Sequence, residues 1–324
     1  MLDKNDPATY NHQYCNVNGI RQHYVDENPT GKEALILFHG WPDLWLGWRE
    51  QIQFLVNLGY RVIVPSMRGF GQSDAPADPA KYGYKTVCRD MAELLDHLEL
   101  PTVTVLGHDW GGFVAWRFAQ FYPERVRAVA SFCSPYLPST NEYLSLEQIV
   151  ERLPTFKYQL YFANDPEAVR ELDANIDLYF KRLFRNPEDK KLDKRPGILD
   201  PVTHKLVEGR EVPARSDAVP KKVLDYYIEQ FQRAGAAGGL NWYKQTRRNW
   251  EDCKDLDPII RKPSLMITAE NDPALPPSMA ADMHNFIPDL ETYLVEGAGH
   301  FVLTDKPEEC NNHLERWLAK VTPL

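Results

Sequence analysis

The sequence predicts an α/β protein with a mostly parallel sheet, flanked by helices, and an inserted all-helical cap. Short runs of β-branched and apolar residues alternate with helical patterns in both terminal parts, as in parallel sheets. Between them, strand-like runs give way to helical stretches rich in Tyr, Phe and Leu. We therefore divide the chain into a first core part (1–136), a helical cap (137–253) and a second core part (254–324).

The individual elements follow from local patterns. Two short strands, 14–17 and 20–26, flank Asn18-Gly19, a pair typical of a tight hairpin turn. The run 34–40 is almost continuously apolar, which indicates a central strand buried on both faces. Further strands are predicted at 61–65, 103–107, 128–132, 264–269 and 292–295, and helices at 87–98, 113–121 and 307–318. The stretch 187–220 has many prolines and charges and predicts a long surface loop.

Asp109 lies where the 103–107 strand turns sharply into the next helix. Gly107, Gly111 and Gly112 allow strand and helix to approach closely and tolerate a strained backbone. A carboxylate is already ionised at neutral pH, with an ordinary pKa near 3.9. Its attack on a saturated carbon bearing a leaving group gives an ester, which water can cleave. The pattern thus favours a covalent nucleophile, while the alternative is an Asp that only caps the helix.

The leaving group separates two reactions. A halide departs as a stable anion, whereas the oxygen of an opened epoxide is strongly basic and needs a proton from a general acid. Tyr158 and Tyr243, both in the predicted cap, are candidates for this acid, since a tyrosine stays protonated at neutral pH. Among 16 tyrosines, however, most are expected to be packing groups.

Seven motifs, in this order, resemble the soluble epoxide hydrolases of the α/β-hydrolase fold, over roughly residues 12–320. The resemblance implies an eight-stranded type of sheet, Asp109 as nucleophile, and Tyr158 and Tyr243 as the groups that hold and protonate the epoxide oxygen. We expect the phosphatase domain that precedes this region in some members to be absent. The motifs are His39-Gly-Trp-Pro42, Arg68-Gly-Phe-Gly-Gln-Ser73, Gly107-His-Asp-Trp-Gly-Gly112, Tyr158-Gln-Leu-Tyr-Phe162, Asn241-Trp-Tyr243, Thr268-Ala-Glu-Asn-Asp272 and Gly297-Ala-Gly-His300.

A second half-reaction needs a base. His300 follows a strand and completes the order nucleophile, acid, histidine of this fold, and its ordinary pKa near 6.5 suits water activation. Asp272 is expected to orient it, with Glu270 as the rival carboxylate. His39 and His108 are expected to shape turns.

The resemblance also supplies the surroundings of the nucleophile. Backbone N–H groups of Trp41 and Trp110 are expected to bind the oxyanion. Their indoles, with Phe301, are expected to line an apolar pocket. Pro42 is expected to follow a cis bond. Two positions depart from the family pattern: Phe301 stands where relatives often have Trp, and Pro273 follows Asp272. Neither is an inferred catalytic residue, so we expect any effect of these departures to fall on substrate preference.

Alternatives remain open. A haloalkane or haloacid dehalogenase shares the Asp elbow, and a non-catalytic ligand receptor shares the fold. An esterase is disfavoured because the elbow has no Ser. Convergence of Tyr158 and Tyr243 above Asp109 favours the epoxide, and multiple-turnover diol release argues against a receptor.

Composition narrows the partners. The net charge of −9 argues against nucleic acid and against an anionic membrane surface. No stretch is apolar enough to span a bilayer, and five scattered cysteines predict neither disulfides nor a zinc site. We expect a cytoplasmic monomer or homodimer that needs no cofactor or metal and takes a small apolar epoxide and water.

Overall fold

A computed structural model of the chain describes residues 2–185, Leu199 and 216–324. Its centre is an eight-stranded sheet with the order β1-β2-β4-β3-β5-β6-β7-β8. The pairs β1–β2 and β2–β4 are antiparallel and the other neighbouring pairs are parallel, which confirms the predicted fold class. The strands are β1 (His12–Val17), β2 (Ile20–Glu27), β3 (Ala34–Phe38), β4 (Arg61–Pro65), β5 (Val103–His108), β6 (Val126–Phe132), β7 (Ser264–Ala269) and β8 (Leu290–Val295).

The register of the parallel strands gathers the loops that follow them. Phe38 of β3 pairs with Gly107 of β5, which in turn pairs with Ser131 of β6. On the other side of β6, Phe132 pairs with Ile267 of β7. Because these pairs lie near the carboxyl ends of their strands, the four following loops meet at one edge of the sheet, where ligands bind in such folds. All five residues of β3 are buried, as its continuous apolar run predicts.

The helices of the core flank this sheet. They are α1 (Arg49–Leu58), α2 (Tyr84–His97) and α3 (Trp110–Phe121), followed near the C-terminus by α11 (Val302–Asp305) and α12 (Pro307–Val321). The sequence predicts α2, α3 and α12 with shifted ends but not α1 or the four-residue α11. No helix in the described ranges has both the length and the hydropathy that a membrane span needs.

The described residues between β6 and β7 form a series of helices. They are α4 (Leu146–Arg152), α5 (Tyr158–Asn164), α6 (Ala168–Ala174), α7 (Ile176–Leu183), α8 (Lys221–Ala234), α9 (Ala237–Leu240) and α10 (Thr246–Cys253), with a 3-10 helix at Asn241–Gln245 between the last two. The loop predicted over 187–220 lies, apart from Leu199 and 216–220, outside the described residues.

Glycines form a close joint between this helical segment and the core. A Cβ added to Gly69 would press against the backbone of Gly238, and one added to Gly238 would clash with the Gly69 backbone in return. One on Gly239 would enter the ring of Trp41. Beside this joint, the indole Nε1 of Trp242 donates to the Arg68 carbonyl at 3.0 Å. Close backbone approach of this kind requires residues without a side chain.

A buried polar contact joins α8 to the core a short distance away. The hydroxyl of Tyr227 donates to the Asp43 carboxylate, and both side chains are buried. The backbone N–H of Leu44 also donates to Asp43, at 2.8 Å. Burial raises the pKa of Asp43 to about 6, although both hydrogen bonds oppose this shift. Asp43 therefore carries a desolvation cost when it is ionised.

Candidate active site

Asp109 occupies a strained turn between β5 and α3. Its φ of 53° and ψ of −126° lie outside the conformations that residues with side chains prefer. Glycines make the turn possible: a Cβ on Gly107 would clash with the Gly111 carbonyl, and one on Gly111 with the Phe38 carbonyl. Such strain persists only where the surroundings hold it, and it is concentrated at functional sites.

The carboxylate of Asp109 faces the loop after β3. The backbone N–H of Trp41 donates to Asp109 Oδ1 at 2.6 Å. A Cβ on Gly40 would lie too close to both that oxygen and the backbone nitrogen of Trp110, at 2.6 Å from the latter. The Trp41–Pro42 bond is cis, as predicted. The two backbone N–H groups expected to form an oxyanion hole thus lie beside the carboxylate that they would serve.

His300 contacts two carboxylates. Its Nε2 lies 3.5 Å from Asp109 Oδ2, and its Nδ1 lies 2.7 Å from Asp272 Oδ2. The other Asp272 oxygen accepts backbone N–H groups from Ala274 and Leu275, each at 2.9 Å. Glu270, the rival carboxylate, is exposed and accepts instead from the backbone N–H of Gly297.

The charges of this triad shift the pKa of two members. Burial disfavours the charged form of His300, but the Asp272 and Asp109 carboxylates outweigh it and hold the pKa of His300 well above its ordinary value. Burial also disfavours the charged form of Asp272, which by itself would raise the pKa of this carboxyl. The interactions with His300 and the two backbone donors outweigh burial and hold the pKa of Asp272 far below its usual range. Asp272 therefore remains ionised and keeps the His300 ring oriented through Nδ1.

Two residues that the sequence did not assign to the site hold the backbone of His300. His108 Nε2 donates to the His300 carbonyl at 2.7 Å, and Cys133 Sγ approaches the same oxygen at 3.5 Å. Burial, and then the charge of His300, lower the pKa of His108 to about 4, so its ring is neutral at pH 7. Cys133 has a positive φ of 65° at the end of β6. Only the sheet register brings these residues to His300, so no local pattern identifies them.

The same three side chains form the one cluster of potential metal-ligating atoms found in the described residues. Atoms of His108, Cys133 and His300 lie within 4.8 Å of one another. The sequence predicts no metal, because these residues are far apart along the chain. The polar atoms of this cluster already have partners: His108 and Cys133 contact the His300 carbonyl, and the His300 ring contacts the two carboxylates.

All five cysteines are buried and free.

A cavity of about 400 Å³ joins Asp109 to the two predicted tyrosines. Tyr158 begins α5 and Tyr243 lies in the 3-10 helix after α9, and their ring centroids are 6.1 Å apart. The Tyr243 ring also packs on Trp110 at 5.1 Å. Burial raises the pKa of both hydroxyls, and the Asp109 charge raises it further. Both tyrosines therefore remain protonated at neutral pH.

Of the three aromatic residues predicted to line this cavity, one does so and two pack elsewhere. Trp110 lines it, whereas Trp41 and Phe301 are not among its described lining residues. Trp41 is buried, with its indole packed edge-on against Phe162 and Phe231, because Gly239 leaves room for its ring. Phe301 packs against Phe184.

Comparison with known proteins places this geometry in a family. A family described as "alpha/beta hydrolase fold" matches residues 33–307. "Bifunctional epoxide hydrolase 2" of Sus scrofa is 40% identical over 97% of the chain and 56% of its own length. "Epoxide hydrolase A" of Mycobacterium tuberculosis is 33% identical over 93% of the chain and 95% of its own length.

Solved structures agree with this assignment. The crystal structure of Epoxide Hydrolase A from Mycobacterium thermoresistibile superimposes with a TM-score of 0.80 at 31% identity, over 96% of this chain and 98% of that one. The chain spans little more than half the length of the mammalian bifunctional relatives, at 56%. Sequence, register and site geometry thus agree that the chain belongs to the epoxide hydrolase family of the α/β-hydrolase fold.

Proposed function

We propose that the protein hydrolyses an apolar epoxide to a vicinal diol through a covalent ester on Asp109. One observation carries the proposal: a single cavity joins the carboxylate of Asp109 to the hydroxyl-bearing side chains of Tyr158 and Tyr243. A dehalogenase would need no such pair of acids, and the similar proteins of Sus scrofa and Mycobacterium tuberculosis are epoxide hydrolases. The substrates are the epoxide and water, and the mechanism uses protein groups only.

In the first half-reaction, a carboxylate oxygen of Asp109 attacks an epoxide carbon. A carbon–oxygen bond forms to Asp109 as the ring carbon–oxygen bond breaks, and the released oxygen takes a proton from Tyr158 or Tyr243. Conversion of Asp109 to a neutral ester removes a charge that raises the pKa of both tyrosines. The transient tyrosinate is therefore less unfavourable once the ring has opened.

In the second half-reaction, His300 removes a proton from water, which attacks the ester carbonyl carbon of Asp109. Negative charge on the carbonyl oxygen is stabilised by the N–H groups of Trp41 and Trp110. Asp272 stabilises the protonated His300. As this intermediate collapses, the bond to the substrate oxygen breaks and that oxygen takes the proton held by His300. The proton of the new carboxyl group returns to the tyrosinate, so the diol leaves and the Asp109 carboxylate is restored with one oxygen from water.

We also infer that residues 137–253 form the cap that supplies the tyrosines. The helices α4 to α10 between β6 and β7 support this division. The cytoplasmic location and the monomeric or dimeric state stay predictions.

A single turnover in H₂¹⁸O tests the proposal. With enzyme in excess over a styrene-type epoxide, the first diol should carry no label, because its new oxygen comes from Asp109. The label should instead remain in the peptide that contains Asp109. Label in the first diol would mean direct attack by water and would overturn the ester mechanism.

Two controls complete the test. Asp109→Ala should abolish diol formation while the fold is retained, as judged by circular dichroism. Excess substrate should give many diols per protein, whereas a ligand receptor on this fold would give one or none.

A further inference from the structure

The cavity that contains the two tyrosines also borders one face of α3. Trp110, Phe113 and Arg117 all line it, and their spacing of three and four residues places them on one stripe of the helix. Seven residues separate Trp110 from Arg117, which corresponds to about 10 Å along the helix axis. The stripe therefore leads from the nucleophile to a guanidinium group.

Arg117 is half-buried and its described partners are neutral. It donates to the Leu137 carbonyl at 2.7 Å and to the Gln120 side chain at 2.5 Å. Its guanidinium lies 5.6 Å from the ring centroid of Tyr136 and 5.9 Å from that of Tyr84. Within the part of the chain that the structure describes, no carboxylate forms an ion pair with Arg117. A half-buried guanidinium without an anionic partner favours binding of an anion.

The charges that line the cavity are separated. Asp109 is the one carboxylate among the described lining residues, and the cations are Arg117 and Arg152. Arg152 ends α4 and is exposed. The remaining described lining residues are neutral, and most of them are apolar or aromatic. A ligand that matches this cavity has an electrophilic carbon near Asp109, an apolar middle, and a negative group near Arg117.

We propose that Arg117, assisted by Arg152, binds a carboxylate on the substrate and thereby selects epoxides that carry this group at the far end of the cavity from Asp109. This inference rests on the proposed function, since it assumes that the reacting carbon lies at Asp109. It also gives Arg117 a role in regiochemistry, because a fixed carboxylate determines which epoxide carbon faces the nucleophile.

Paired substrates test the proposal. Straight-chain epoxides that end in a carboxylate are compared with their methyl esters, over a graded series of chain lengths, by measuring KM and kcat. The wild-type protein should prefer the acid at one chain length. Arg117→Gln should raise KM for that acid about tenfold, as expected for loss of a charged hydrogen bond, while the ester is little affected. Arg117→Lys should retain part of the preference.

The matched control is Arg89→Gln. Arg89 lies on α2, where it pairs with Glu93 and is 63% exposed, and it does not line the cavity. This variant should leave both acid and ester kinetics unchanged. Equal effects of Arg117→Gln on acid and ester, or no preference for the acid at any length, would overturn the proposal.

A binding measurement covers the case in which Arg117→Gln does not fold. An alkyl carboxylate without an epoxide should inhibit the wild-type protein competitively and better than its amide, and Arg152→Gln should weaken this difference. If acid and amide inhibit equally in the wild type, the inference is wrong. Failure of the wild type to hydrolyse even neutral epoxides would instead count against the proposed function.

Discussion

His300 Nε2 lies 3.5 Å from Asp109 Oδ2, so the group proposed as base is adjacent to the group proposed as nucleophile. This proximity couples their charges, because the Asp109 carboxylate helps to raise the pKa of His300. Formation of an ester removes the Asp109 charge. In the proposed mechanism, His300 then loses one of the interactions that favour its protonated form, and it is expected to be a better base when ester hydrolysis begins.

The first prediction concerns pH. A base must be unprotonated, so ester hydrolysis should slow about tenfold for each pH unit below the pKa of His300 in the ester form. Alkylation of Asp109 should not share this limb, because His300 has no role in it. Single-turnover fluorescence across pH separates the two steps. Identical acid limbs for both steps would contradict the assignment.

Replacement of His300 should trap the ester. His300→Ala should permit attack by Asp109 but slow turnover by about 10²–10⁴, the usual contribution of a general base. Mass spectrometry should then show the protein heavier by one epoxide, with the adduct on the Asp109 peptide. His284→Ala, which removes an exposed histidine, serves as the control and should neither lose activity nor accumulate adduct.

Tyr158 and Tyr243 should both contribute to protonation of the oxygen that leaves the opened epoxide. Tyr158→Phe and Tyr243→Phe should each slow ring opening, and the double variant should lose about 10²–10⁴ in the alkylation rate. Tyr14→Phe, at a 38% exposed position, should have no effect. Burst kinetics under excess enzyme measure this step directly. An unchanged rate in the double variant would require another proton source.

Asp272 should matter more than its neighbour Glu270. Asp272→Asn keeps the shape of the residue but removes the charge that raises the pKa of His300, so the acid limb of ester hydrolysis should move to lower pH. Loss of the oriented, charge-stabilised ring should also reduce kcat by up to about 10⁴. Glu270→Gln should leave kcat and the pH profile unchanged. Equal losses in the two variants would reject Asp272 as the orienting group.

Asp43 provides a prediction about stability. Its folded-state pKa of about 6 exceeds its usual 3.8, so the native protein binds more protons between these values and its stability falls as pH rises through them. The cost at pH 7 is about 2–3 kcal/mol. Asp43→Asn can still accept from Tyr227 and should raise the free energy of unfolding by up to this amount. Urea unfolding should show the gain at pH 7 and its loss near pH 4, and a gain that is independent of pH would rule out the Asp43 charge as its cause.

Local pattern predicts those parts of the site that depend on strand ends and glycines. The Asp109 turn follows from a strand that meets Gly107 and two later glycines, and the sheet register then brings Asp272 and His300 to the same edge. Helix α1 escapes prediction because Arg49 and Gln51 are buried together with Ile52 and Leu55, which obscures its apolar stripe.

Other features depend on tertiary packing alone. The contacts of His108 and Cys133 with the His300 carbonyl join three separate strands and loops, so neither residue has a local signature. The sequence predicts the indole of Trp41 in the cavity, but the ring is buried in the core, in space that a side chain at residue 239 would occupy. Nothing in the sequence distinguishes Arg117 from other polar residues on helices, because its place in the cavity depends on tertiary packing.

The backbone contact between Gly69 and Gly238 limits where the protein can be re-engineered. A Cβ at either position would clash with the backbone of the other, just before the 3-10 helix that contains Tyr243. Mutational libraries for new substrates should therefore keep the glycines of this joint unchanged. They should instead diversify the α4 side of the cavity, where Leu146, Ile149 and Leu153 offer replaceable apolar surface.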